Sequence, residues 1–103
     1  MSHTILQINF KFNVARADYE QAVSPLAGEY VNLAGLRWKV WLMNESASEA
    51  GGIMLFDDEA SADAYVVSPL AAKVTGHPAL SEFSVKKFEV MEGETAITRG
   101  PVK

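Results

Sequence analysis

Val23-Ser24-Pro25-Leu26-Ala27 recurs as Val67-Ser68-Pro69-Leu70-Ala71, 44 positions further along the chain. The same offset lays Leu36 on Leu80 and the first strand-like segment on the third. A repeat that carries strand positions with it predicts a doubled unit, each half a β-α-β. Each proline falls inside a helical pattern. There it either removes a hydrogen bond and kinks the axis, or opens a second helical segment capped by the preceding serine. Both helices should therefore change direction at the same place.

The apolar spacing fills in the elements. Leu6, Ile8, Phe10 and Phe12 alternate with polar residues, the mark of a strand with one buried face. Tyr19, Val23, Leu26, Tyr30 and Leu33 recur at three and four, a helix stripe that Gly35 stops. Leu36–Met43 reads as a strand with Leu36, Trp38, Val40 and Leu42 on one face and Arg37, Lys39, Trp41 and Met43 on the other. Asn44–Ala50 is a hairpin connection, and Gly52–Phe56 a short apolar strand. Asp57 or Asp58 caps a helix over Glu59–Val74 with Ala60, Ala64, Val67, Leu70, Ala71 and Val74 inward, ended by Gly76 and Pro78. In the last strand Phe83 and Val85 share one phase and Phe88 and Val90 the other, which predicts a bulge at Lys86–Lys87.

The order β-α-β-β-α-β with right-handed crossovers gives an α+β ferredoxin-like sandwich, a four-stranded antiparallel sheet with both helices on one face. Residues 1–91 make that domain, and 92–103 form a C-terminal arm too poor in apolar residues for a core of its own. The uncovered face is expected to carry Gln7, Asn9, Lys11, Arg37, Lys39 and Trp41. Such a mixture of polar groups with a tryptophan is best buried against a second copy, so the chain reads as a homodimer with its arm over the partner.

Charge and composition exclude several functions. A net charge of −4 with no basic patch offers nothing to nucleic acid or to an anionic membrane. The absence of cysteine removes disulfides, thiolate chemistry and iron–sulfur clusters, and two separated histidines make no metal site. The longest run without Asp, Glu, Lys or Arg is Met1–Phe10, against about 20 apolar residues for a spanning helix. No phosphate-binding glycine motif occurs. The expected setting is cytoplasmic.

Leu6-Gln7, Phe10, Phe12-Asn13 and Pro25-Leu26-Ala27 begin a pattern that continues through Trp38-Lys39-Val40-Trp41, Glu49-Ala50-Gly51-Gly52-Ile53, Leu55-Phe56, Asp58-Glu59, Ala64-Tyr65 and Phe88–Val90. In these blocks the chain resembles the YdhR-type mono-oxygenase family. The resemblance implies a dimeric α+β barrel, two ferredoxin-like sheets closed around a common interior. It also implies kinship with small oxygenases that use no cofactor and act with molecular oxygen on phenolic or polycyclic aromatic substrates. It assigns no catalytic residue.

The residues supply candidates of their own. Trp38, among Leu36, Val40 and Leu42, either packs in the core or walls an aromatic-binding cavity beneath the bent helices, together with Phe10. Tyr65 or His77 would stand at its mouth to donate a hydrogen bond or accept a proton. On the opposite face Trp41 reads as a dimer-packing residue with a cation–π contact, Lys39 as an interface salt-bridge partner or the charge that holds a phenolate, and Asn9 as a hydrogen-bonding group toward the interface or a substrate carbonyl. A pocket in the barrel interior beside Lys39 and Asn9 is the competing placement. Two functions fit: a cofactor-independent mono-oxygenase of a small phenolic substrate, or a non-catalytic dimeric binder of an aromatic or lipophilic ligand.

Overall fold

The computed structural model describes residues 3–102. Its elements run β1 (Thr4–Phe12), α1 (Arg16–Val23), α2 (Leu26–Val31), β2 (Leu36–Asn44), β3 (Glu49–Phe56), α3 (Glu59–Val66), α4 (Pro69–Thr75), β4 (Leu80–Glu89) and α5 (Glu92–Ile97). The four strands form one antiparallel sheet in the order β2-β3-β1-β4, the ferredoxin-like α+β arrangement. No helix among the described residues is long and apolar enough to cross a membrane.

β1 keeps its alternation from end to end, and Leu6, Ile8, Phe10 and Phe12 are buried under the helices. Directly opposed residues share a face. Met54 and Ala50, facing Leu6 and Phe10, therefore join that core with Tyr19, Tyr30, Tyr65 and Leu80.

The two Ser-Pro sites break their helices in different ways. At Ser68 the hydroxyl accepts the Ala71 N–H at 3.2 Å and Pro69 opens α4, a capped restart. Ser24 stays in helical geometry, no side chain caps α2, and the axis simply kinks. The restart re-phases the second helix pair: Ala62 and Tyr65 point inward, while Ala60 and Ala64 are exposed and Val67 is 84% exposed, contrary to the single stripe expected. Asp58 caps α3 by accepting from the Ser61 N–H at 2.8 Å.

Two strand readings need correction. β2 slips register between Leu36 and Trp38, so Arg37 is a bulge and the phase of the rest of the strand is reversed. Lys39, Trp41 and Met43 face Met54, Gly52 and Ala50 on the helix side, and Trp38, Val40 and Leu42 lie on the open side. In β4 the irregularity falls between the partners of Asn9 and Lys11, with Glu82 at φ 55°, and pairing through Lys86–Lys87 is regular. Phe88 is thus on the open face, 48% exposed. The hairpin connection is a 3-10 turn at Glu45–Ala47, so β3 begins at Glu49.

The C-terminal segment adds α5, which opens where Glu92 accepts the His3 N–H at 3.0 Å. It ends near β2, where the Trp38 indole donates to the Pro101 carbonyl at 2.8 Å.

Candidate functional site

The Arg37 bulge sends a lysine under the helices. Its stem lies over Gly52, where any Cβ would meet Lys39 Cε at 2.8 Å, so glycine is what leaves room for it. Lys39 Nζ stands 3.6 Å from the Tyr30 ring centroid and 3.7 Å from that of Trp41, and these two rings meet edge to face at 5.5 Å. Tyr30 comes from α2 and Tyr65 from α3; they are 3% and 2% exposed, and their hydroxyls share a hydrogen bond of 2.5 Å.

Electrostatics set the protonation states. Burial lowers the Lys39 pKa to about 7, because the ammonium loses water and no carboxylate among the described residues replaces it. The two ring faces hold whatever positive charge is present. Burial raises both Tyr30 and Tyr65 above the ordinary phenol value, so both remain neutral hydrogen-bonding groups at pH 7. Such an amine is divided between its two forms at neutral pH: the free base can take a proton, and the ammonium can hold an anion.

A small cavity of about 20 Å³, room for a single water, lies beside Lys39, Tyr30, Tyr65 and Phe10. A larger cleft of about 490 Å³ opens between α1 and β2, lined by Tyr19, Val23, Trp41 and Met43 with Arg16 at its edge. Tyr19, Val23 and Trp41 line both spaces.

Among the residues singled out from the sequence, Phe10, Lys39, Trp41 and Tyr65 come together here. Trp38 does not: the bulge exchanges it with Trp41, so the tryptophan under the helices is Trp41. Asn9 is on the open face, its side-chain Oδ1 accepting from Gln7 Nε2 at 3.0 Å. His77 sits in the loop after α4, where Nδ1 accepts the Ala79 N–H at 3.1 Å, and it lines a separate hollow of about 150 Å³ with Val14 and Leu80. Tyr30 was legible only as one member of a helix stripe; its pairing with Tyr65 and Lys39 depends on contacts between distant segments.

The fold has many solved counterparts. NE2512, a protein of unknown function from Nitrosomonas europaea, is 19% identical with a TM-score of 0.75, covering 88% of this chain and 91% of that one. SnoaB, a cofactor-independent oxygenase from Streptomyces nogalater, is 16% identical with a TM-score of 0.71, over 87% and 94% of the two chains. The heme-degrader MhuD from Mycobacterium tuberculosis, solved with two hemes in its active site, is 19% identical with a TM-score of 0.65, over 84% and 95%. At such identities the likeness is one of fold. No match in sequence was found among curated proteins. The family described as "Putative mono-oxygenase ydhR" matches residues 5–101, and on a match of that extent the chain belongs to the ydhR mono-oxygenase family.

Proposed function

We propose that the protein is an oxygenase that uses neither metal nor flavin and oxidises a small phenolic substrate in the cleft beside Trp41. The observation that carries this is the Lys39 amine: partly buried against two aromatic rings, without a carboxylate, and in contact with Trp41, which also lines a cleft large enough for a bicyclic ring. Lys39 takes the phenol proton, and its ammonium then holds the phenolate. An electron-rich phenolate gives one electron to oxygen; the superoxide and aryloxyl radical so formed combine at a ring carbon. Loss of water then leaves one oxygen atom in the quinone product and the other in that water, the substrate supplying all four electrons that reduce the oxygen. Aromatic walls keep bulk water from the ion pair. Membership of a mono-oxygenase family and a fold shared with SnoaB support the reading. Oxygen uptake with a panel of hydroquinones and hydroxylated naphthalenes tests it. Uptake in the wild type and a loss of tenfold or more in Lys39→Met is the expected result; binding of these compounds with no uptake would instead mark a binding protein.

We infer also that two copies pair through the open sheet face, where Val40 and Phe88 are each about half exposed. The interface should bury more than about 1,000 Å² in total. The arm, which already reaches Trp38 of its own chain through Pro101, would extend it, so deleting 94–103 should weaken pairing. A monomer in sedimentation at micromolar concentration would end this reading.

A further inference from the structure

The described lysines fall into three kinds. Lys11, Lys73 and Lys87 each donate to an oxygen: the Ala47 carbonyl at 3.0 Å, Glu29 at 2.6 Å, and Glu59 and Asp63 at 2.6 and 2.8 Å. Lys86 is exposed to solvent. Lys39 is the partly buried one whose nitrogen stands over two rings and donates to no oxygen among the described residues. An amine in that position, when neutral, has a lone pair that no donor occupies. It is therefore a nucleophile toward carbonyl carbon, and Trp41, whose ring it touches, also lines the larger cleft.

We propose that Lys39 is a carbonyl-reactive amine and that the cleft between α1 and β2 takes small aromatic aldehydes or ketones, held as an imine on Lys39 Nζ. The lone pair of Nζ attacks the carbonyl carbon to give a carbinolamine. Water leaves with the carbonyl oxygen, and a C=N bond replaces C=O; hydrolysis reverses the step. No oxidant or reductant is consumed. Trp41 lines both the cleft and the small cavity, so entry requires its ring to turn toward the cleft and the ligand ring to lie along it. This goes beyond the oxygenase reading. It uses the same amine, but the imine needs no oxygen, and oxidation of a phenol forms no C–N bond.

Reductive trapping tests it. The full chain is incubated with benzaldehyde or 1-naphthaldehyde and cyanoborohydride at pH 7, where hydride converts any imine to a stable secondary amine, and the sites are mapped by peptide mass. Lys39 should be modified at least ten times faster than Lys11, Lys73, Lys86 or Lys87, and Lys39→Met should lose that adduct alone. Within the wild type, labelling of Lys39 should inflect near pH 7, a readout that needs no variant. Adducts spread over the surface lysines with Lys39 not ahead would overturn the proposal. Oxygen uptake without Lys39 labelling would overturn it and leave the oxygenase reading standing; labelling without uptake would do the reverse.

Discussion

Lys39 and Phe83 hold the same place in the two halves of the repeat, 44 positions apart, each on the helix side just past a bulge. In the second half Phe83 packs on Phe10 with centroids 5.4 Å apart and lies, partly buried, against the core. In the first half the place is taken by an amine that burial disfavours. The second half shows what folding alone asks of the position: an apolar side chain. A lysine there costs stability, which points to chemistry as its use.

Exchanging the two residues' roles tests this most severely. Phe83→Lys should destabilise the fold by about 2–4 kcal/mol in urea unfolding, because Phe10 loses one of its two ring partners and no aromatic box receives the amine. A loss below about 1 kcal/mol would mean that the fold accepts lysine at either site, and the comparison would fail.

A smaller effect is expected from the hydroxyl pair that walls the first half. Tyr65→Phe leaves the Tyr30 hydroxyl without its partner in a buried site and should cost about 1–2 kcal/mol. Tyr30→Phe should cost a similar amount, and the double variant less than the sum, since the second change removes the orphaned group. Additive losses would show that the two hydroxyls do not depend on one another.

Lys39→Met should change stability least, and in the opposite direction. The folded pKa, about 7, lies below the unfolded value of about 10.4. Between these limits the unfolded chain binds more protons, so stability rises with pH across that window; below pH 7 the penalty is present in full. The variant should therefore be more stable than the wild type by about 1 kcal/mol at pH 6, after allowing for partial exposure and the lost cation–π contacts, and the gap should close toward pH 10. A gap that does not vary with pH would remove the titrating amine from the account.

β1 was legible because its two faces differ in kind, apolar against polar, so only one phase suits a buried sheet. β2 offers no such contrast. Leu36, Trp38, Val40 and Leu42 compete with Trp41 and Met43, and a bulge at Arg37 leaves no local trace in the sequence. One inserted residue exchanged Trp38 for Trp41 and moved Lys39 from the open face to the interior. The repeat carried more information than the periodicity. Once Leu36 is laid on Leu80, Lys39 falls on Phe83, which packs against the core. The Ser-Pro sites show the converse: identical pentapeptides end as a kink and as a capped restart, because tertiary packing decides which turn each serine takes.

The central claim is that the aromatic site lies under the helices at Trp41 and Lys39. Titration with a naphthohydroquinone under anaerobic conditions, followed by tryptophan emission in the wild type, Trp38→Phe and Trp41→Phe, tests it directly. Trp41 borders both the cleft and the cavity, while Trp38 is held to the Pro101 carbonyl on the other face. Quenching on binding should survive Trp38→Phe and disappear in Trp41→Phe. Quenching that disappears in Trp38→Phe and persists in Trp41→Phe would place the ligand on the open face and contradict the account.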